Sequence, residues 1–250
     1  MRHADVEISS VSDLLLALEE QTNLRELTWF RGHAQVEWKL LPSLARNPAH
    51  LIRETDVIKR FIQLAVPHLT ETLPQTDWDW IFLMQHHRVP TRLLDWSESP
   101  LAALWFAVNS SDPRDATIDG AVWCLDPLAL NRVARLRGRL ETELPGFGSD
   151  PILDNYLPDR QDQGAGQNPV AASGRRNSRR MAAQLGNFTI FDRSLNSIEE
   201  VGTGEHVWRL VIPAAAKAAI AEQLRLLRFT ELTLFPDLDR VASLTRELLT

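Results

Sequence analysis

The segment 85–106 joins two apolar stretches and holds the densest group of chemically reactive side chains in the sequence. The apolar residues from Trp80 to Met84 have the spacing of a buried helix face, and Asp77 is suited to cap that helix. Pro90 cannot lie inside a helix, so the helix must end before it. The histidine pair that begins with His86 is therefore expected at the end of this helix.

The second half of this segment leads into another helix. Residues Thr91 to Trp96 predict a short strand or an extended turn. Ser99 and Pro100 are typical of an N-cap and a first helical position, so we expect a helix from there to about Val108. A helix start presents free backbone N–H groups and the positive end of its dipole. The polar residues before it are therefore suited to bind a phosphate or a carboxylate.

The rest of the sequence predicts one α+β domain. Strands are expected near residues 27–31, 120–125, 188–191, 207–212 and 231–235. Helices are expected in the first 20 residues, within 54–70, after Pro127, over 214–227 and after Pro236. Since the sequence has no internal repeat, we expect a single domain over residues 1–250, with a core from about 25 to 245 and small mixed or antiparallel sheets flanked by helices.

Residues 159–180 lack both periodicity and large apolar side chains, so we predict a mobile loop there. Four arginines lie near its end, at positions 175, 176, 179 and 180. Such arginines are either solvated or become ordered against a polyanion. A loop of this length beside a pocket would also be able to act as a lid.

The composition favours an intracellular protein with an ordinary buried core. The 250 residues are 44% hydrophobic and include one cysteine, Cys124, which excludes an internal disulfide and is expected to be buried. The first residues do not have the pattern of a signal peptide, and no stretch approaches the roughly 18 apolar residues that a membrane span requires. We therefore expect a cytoplasmic location. The net charge of −6 argues against a general affinity for nucleic acids, although not against a local basic surface.

Several classes of active site are disfavoured. His86 and His87 are adjacent at a helix end and point about 100 degrees apart, so they cannot easily bind one metal ion, and we predict no metal site. The sequence lacks the Gly-x-Ser-x-Gly motif of a hydrolase nucleophile elbow. It also lacks a Walker A loop and a Gly-x-Gly-x-x-Gly loop.

Four blocks of this sequence resemble the FRG domain family, which takes its name from a Phe-Arg-Gly motif. The blocks occur in the order that the family has, and together they extend over about residues 25–245. They are Phe30-Arg31-Gly32, the segment 85–107 with departures from the family pattern at His87 and Arg88, and the segments 184–189 and 234–239.

The order of these features also resembles that of the ADP-ribosyltransferases. In those enzymes an early Arg or His binds NAD, a strand and a helix line the nicotinamide site, and a late Glu holds the ribose. The corresponding positions here are Arg31, the segment 91–106 and Glu231. The resemblance implies an ADP-ribosyltransferase-like fold with NAD as a substrate. A planar guanidinium can bind the pyrophosphate of NAD, and a carboxylate stabilises the positive charge that develops on the ribose as the glycosidic bond breaks.

On this hypothesis, three residues are the expected catalytic residues: Arg31, His86 and Glu231. Arg31 and the backbone of Gly32 are expected to hold a phosphate or a ribose, whereas His86 and Thr91 hydrogen-bond a sugar or the carboxamide. The alternative for Arg31 is a structural salt bridge, and the alternative for Glu231 is an exposed position on a strand.

The remaining site residues have supporting roles. Arg92 is a second candidate for binding the pyrophosphate, but an internal pair with Asp95 is the preferred role, because a buried Arg without a carboxylate would be very costly. Trp96 and Phe106 are expected to form an apolar wall. Gln184 either hydrogen-bonds a ligand or bridges two strands. Most of the eight tryptophans are expected in the core, with an aromatic floor under a purine or nicotinamide ring as the alternative.

The sequence thus favours an NAD-using ADP-ribosyltransferase or NAD glycohydrolase, and the FRG resemblance implies a bacterial toxin or a phage-defence effector. Its expected partners are NAD or a related nucleotide, a macromolecular acceptor, and a protein inhibitor such as an antitoxin. Two alternatives remain: a module that senses a nucleotide without converting it, and an interaction domain whose polar motifs only stabilise the fold.

Overall fold

The computed structural model describes residues 1–23, 26–69, 73–134, 143–158, 167–174, 183, 185–192, 196–236, 241–242 and 245–246. Within these residues the chain forms one seven-stranded sheet with helices packed against it, in the order β1-β7-β4-β2-β3-β6-β5. The pair β1–β7 is parallel, and the other neighbouring strands are antiparallel. The predicted α+β class is therefore confirmed.

The bounds of the strands follow the apolar runs of the sequence. They are β1 (Val6–Glu7), β2 (Trp29–His33), β3 (Leu93–Ser97), β4 (Gly120–Leu125), β5 (Val170–Ala172), β6 (Gly186–Ile190) and β7 (Val207–Ile212). The interior strand β4 is buried along its whole length, which explains its continuous apolar sequence and places Cys124 in the core as predicted.

The structure contains eight α-helices with bounds within the described residues. They are α1 (Val11–Gln21), α2 (Pro48–Ile52), α3 (Glu54–Ala65), α4 (Asp77–His86), α5 (Pro100–Val108), α6 (Pro127–Val133), α7 (Ala214–Leu226) and α8 (Glu231–Leu234). Ser99 caps α5 as predicted, because its side chain accepts a hydrogen bond from the backbone N–H of Ala102. The N-cap of α4 is Thr76, one residue before the predicted Asp77. No helix in the described part of the chain has both the length and the apolar character needed to cross a membrane.

The sheet separates two layers of core. On one face, α1, α5 and α7 pack over β2, β4 and β7 around side chains such as Phe30 and Leu104. The opposite face buries Trp29 and Trp123 together with apolar residues of α6. Residues of β2 alternate between these faces, so Phe30 and Gly32 point toward α5 while Trp29 points away from it.

Gly32 allows α5 to lie directly on β2. A Cβ atom added at this position would lie 1.9 Å from the backbone oxygen of Ala103 and 2.7 Å from the backbone nitrogen of Ala107. Both neighbours are backbone atoms of α5, which cannot move aside as a flexible side chain can. Any side chain at position 32 would therefore displace the helix.

Arg92 connects three parts of the fold. Its side chain is 3% exposed, and it forms a two-point ion pair with Glu54 of α3, with Nε 2.8 Å from Oε1 and Nη2 donating to Oε2. Nη1 donates to the backbone carbonyls of Tyr156 and Phe191. The predicted pair between Arg92 and Asp95 is wrong. Residues three apart in an extended segment point to opposite faces, so these two side chains diverge.

Two further expectations about local structure are wrong. Residues Glu231–Leu234 form a short helix instead of a strand, because a capping box at Thr230 starts a helical turn. Val170–Ala172 form the edge strand β5 within the segment that was predicted as a loop. Most of that segment, including its four arginines, lies outside the described residues. Of the helix expected after Pro236, only residues 241–242 and 245–246 are described, and they are helical.

Replacing Glu54 by Gln should lower the free energy of unfolding by about 3 kcal/mol, because the buried guanidinium of Arg92 would lose its counter-charge. This corresponds to roughly 6–12 °C in melting temperature for a chain of this size. Urea unfolding followed by tryptophan fluorescence measures the change. The matched control is Glu222→Gln, which removes an exposed ion pair with Arg225 and should cost less than about 1 kcal/mol. Equal effects of the two substitutions would contradict the structural role of Arg92.

Candidate functional site

The two central strands β2 and β3 diverge soon after they meet. Phe30 with Ser97 is the one pair of residues that joins them among the described residues, whereas β2 pairs with β4 along its full length. A gap therefore opens between Arg31 and Gly32 on one strand and Asp95 on the other. Helix α5 covers one side of this gap.

A cavity of about 170 Å³ lies at this divergence, and we call it the β2–β3 cavity. Its walls combine aromatic side chains with one cation and one carboxylate. The residues that line it are Phe30, Arg31, Gly32, Asp95, Trp96, Ser97, Ala103 and Phe106.

Arg31 reaches across the gap. Its Nη1 donates to the backbone carbonyl of Asp95 at 2.7 Å, and its Nε donates to Nε2 of His33 at 3.0 Å. A guanidinium carries five N–H donors, so three remain after these two bonds, and none of them has a partner among the described residues. Burial lowers the pKa of Arg31 to about 10, with Asp95 acting in the opposite direction and Arg46 adding to the effect. The group is still charged at neutral pH.

The neutral imidazole of His33 accepts a hydrogen bond from Arg31 and holds its side chain in place. The ring is 1% exposed, and its Nδ1 lies 3.1 Å from the backbone carbonyl of Trp38. Because the Nε–H of Arg31 is a donor, Nε2 of His33 must accept, which leaves the ring proton on Nδ1 to donate to Trp38. Burial holds the pKa of His33 well below its usual range, the charge of Arg31 lowers it further, and the bond to Trp38 opposes the shift.

Asp95 is the carboxylate of the cavity, and a short chain of hydrogen bonds orients it. The side-chain amide of Gln85, at the end of α4, donates to Oδ2 of Asp95 at 2.8 Å. The hydroxyl of Thr91 donates to Oε1 of Gln85 at 2.5 Å and accepts the backbone N–H of Leu93 at 3.2 Å. No described residue donates a hydrogen bond to Oδ1 of Asp95.

The two predicted wall residues line the cavity, whereas two residues that were predicted to make polar contacts with a ligand do not. Trp96 is buried, donates from Nε1 to the hydroxyl of Thr189, and lines the cavity together with Phe106. Thr91 is buried, its hydroxyl donates to Gln85, and it is not among the described residues that line the cavity. The same holds for Arg92, whose guanidinium is occupied by Glu54 and two carbonyls.

The other two predicted catalytic residues do not line the cavity that Arg31 faces. His86 is exposed at the end of α4, with its ring 5.0 Å from that of His87, and it is not among the described residues that line the cavity. Glu231 does not line the cavity either. It begins α8, whose following residue Phe235 packs against Phe106 at a ring distance of 5.9 Å. Gln184 lies outside the described residues.

Three contributors to the site were not predicted as such: His33, Gln85 and the carboxylate of Asp95. His33 follows Arg31 by two positions in a strand, and side chains at this spacing lie on the same face, so the pair was detectable from the sequence. The contact of Gln85 with Asp95 joins the end of a helix to a strand that follows a turn. Its detection requires the three-dimensional structure.

A larger groove of about 410 Å³ lies elsewhere, along α3. Nearly all of its wall comes from one side of this helix and the residue before it, with Val89 as the other contributor. It therefore lacks the convergence of polar groups from separate elements that distinguishes the β2–β3 cavity. The described residues contain no group of three His, Cys, Asp or Glu side chains that could hold a metal ion.

The neutral state of His33 predicts a loss of stability in mild acid. Its pKa in the folded protein is below the unfolded value of about 6.5, so the unfolded chain binds the proton more tightly and stability falls as the pH drops through 6.5. The contribution is roughly 1.4 kcal/mol for each pH unit between the two pKa values. Urea unfolding at pH 7 and pH 5 should show a larger decrease for the wild type than for His33→Gln. His206 is present in both proteins, so its contribution to the pH dependence cancels in this comparison. An identical pH dependence of the two proteins would contradict the assignment to His33.

Comparison with known proteins supports the motif assignment for the first part of the chain. No curated protein and no solved structure matches the chain. The later blocks at 184–189 and 234–239 stay predictions, because the family match ends before them. The matching segment contains β2, β3, α5 and every residue that lines the cavity. Residues 26–116 match the family model of the FRG domain.

Proposed function

We propose that this protein binds NAD at the β2–β3 cavity and breaks the bond between nicotinamide and ribose, acting as an ADP-ribosyltransferase or an NAD glycohydrolase. In this reaction an acceptor nucleophile or water forms a bond to the anomeric carbon of the ribose, and nicotinamide leaves with the bonding electrons. The resemblance to FRG proteins adds a toxin or phage-defence effector as the biological setting. The acceptor and any inhibitor protein are not assigned.

One observation carries this proposal: a charged guanidinium with three unused donors faces an aromatic-walled cavity. Arg31 is held from two sides, by His33 and by the carbonyl of Asp95, so its remaining N–H groups have fixed directions. A pre-oriented guanidinium loses little entropy when it binds a polar group of a ligand. Aromatic walls beside it suit a planar heterocycle.

A second candidate is a module that binds a nucleotide without converting it. This alternative is favoured by the position of Glu231, which begins α8 and is not part of the described cavity wall. A carboxylate can stabilise charge on the ribose only when it lies next to the sugar. Thermal shift with NAD, together with an assay for free nicotinamide, separates binding from turnover.

Arg31→Lys should lower the rate of nicotinamide release from NAD about a hundredfold, because lysine cannot present several N–H groups in a fixed plane. The melting temperature should fall by only a few degrees, since the substitution keeps the charge and most of the side-chain volume. Chromatographic detection of nicotinamide measures the rate. The control is Arg60→Lys on the exposed side of α3, where the rate should stay unchanged. Full turnover by Arg31→Lys would rule out Arg31 as the ligand-binding cation.

Glu231→Gln tests the carboxylate that is predicted to stabilise charge on the ribose. If Glu231 stabilises the developing charge, turnover should fall roughly 10²- to 10³-fold, while the thermal shift caused by NAD persists. The isosteric amide keeps the size of the side chain, so the helix start at α8 should be preserved. Unchanged turnover would remove Glu231 from the mechanism.

A further inference from the structure

We infer that the β2–β3 cavity binds the nicotinamide end of its ligand and that two of its side chains recognise the primary carboxamide by hydrogen bonds. Arg31 donates to the carboxamide oxygen, and Oδ1 of Asp95 accepts from the carboxamide nitrogen. This inference rests on the proposed function and sharpens it. It replaces the contact with a phosphate or a ribose that the sequence predicts for Arg31.

The size of the cavity admits one ring and excludes a dinucleotide. An internal cavity of roughly 150 Å³ is sufficient for a benzene molecule. The β2–β3 cavity has about 170 Å³, which suits a six-membered ring with a small substituent. Pockets that enclose larger ligands usually exceed about 300 Å³. The ribose and the phosphates of NAD would therefore lie outside this cavity.

The charge of the cavity also argues against a phosphate. Its lining holds one cation, Arg31, and one carboxylate, Asp95, so its formal charge is close to zero. An anion bound to Arg31 would lie near the negative charge of Asp95. A neutral carboxamide avoids this repulsion, because its oxygen accepts from Arg31 while its nitrogen donates to the carboxylate.

The hydrogen bonds behind Asp95 fix which oxygen faces the ligand. The hydroxyl of Thr91 accepts the N–H of Leu93, so its hydrogen points to Oε1 of Gln85. This sets the orientation of the Gln85 amide and turns its NH₂ group to Oδ2 of Asp95. Oδ1 is left for a donor on the ligand. Gln85 and Thr91 are thus positioning residues that act through Asp95.

The apolar part of the cavity completes the fit to an aromatic ring. Phe30, Trp96 and Phe106 line it, and Ala103 leaves room beside them. In NAD the nicotinamide ring carries a positive charge, and aromatic faces attract cations. The ring would therefore be favoured in this environment over a purely aliphatic group.

Nicotinamide and nicotinic acid provide the test, because they differ only in the amide and the carboxylate. Isothermal titration calorimetry should show that the wild type binds nicotinamide at least about tenfold more tightly than nicotinate, since the carboxylate of nicotinate faces Asp95. In Asp95→Asn the side-chain oxygen can accept from Gln85 and the NH₂ group can face the ligand. This variant should lose the preference or favour nicotinate.

Substitutions of Thr91 test the positioning role separately. Thr91→Val removes the hydroxyl that orients Gln85 and should reduce the preference for nicotinamide, whereas Thr91→Ser should retain it. Asp56→Asn on α3 is the matched control for the loss of one carboxylate, and it should leave both affinities unchanged. Melting temperatures of all variants show that the compared proteins are folded.

The outcomes separate this inference from the proposed reaction. An unchanged ratio of affinities in Asp95→Asn would overturn the inference, although cleavage of NAD by the same preparation would leave the proposed reaction intact. Conversely, an altered preference in Asp95→Asn would support the inference, and absence of NAD cleavage by the wild type would reject the catalytic proposal. Failure of the wild type to bind either compound at millimolar concentration would overturn the inference.

Discussion

The contact between Gly32 and α5 determines where the site can form. Because Gly32 has no side chain, the backbone of α5 at Ala103 and Ala107 lies directly on β2. The helix is thereby held beside the point at which β2 and β3 diverge, and Phe106 reaches the cavity from it. A sheet whose central strands separate exposes backbone groups that need partners. Here the side chain of Arg31 supplies one of them by donating to the carbonyl of Asp95.

The two arginines of the family motifs have different surroundings, and this difference assigns their roles. Arg92 is enclosed and uses its guanidinium for Glu54 and for two backbone carbonyls. It joins α3 to the sheet and uses four of its five donors within the protein. Arg31 is half-buried and uses two of its five donors. Its type and charge are the same as those of Arg92, so only the packing distinguishes a structural arginine from a ligand-binding one.

Local features of the sequence predicted local structure well. They did not predict contacts between segments that are far apart in the sequence. The helix start at Ser99 follows from its own side chain and the proline after it. The error at Glu231 arose because its neighbours favour strands, while the threonine before it caps a helix. The position of His33 beside Arg31 was accessible from strand alternation. The partner of Arg92 was not, because Glu54 lies 38 positions away and many carboxylates were equally available.

The neutrality of His33 determines how much positive charge the cavity has. A carboxylate at this position would neutralise Arg31 and reduce its attraction for a ligand oxygen, whereas a lysine would add a second charge and compete for the same partners. A neutral imidazole accepts from Nε of Arg31 and leaves the charge of the guanidinium unchanged. Asp95 then balances this charge at the other side of the cavity. A binding site with one donor group and one acceptor group, and little net charge, discriminates between ligands by the arrangement of their hydrogen-bonding groups more than by their charge.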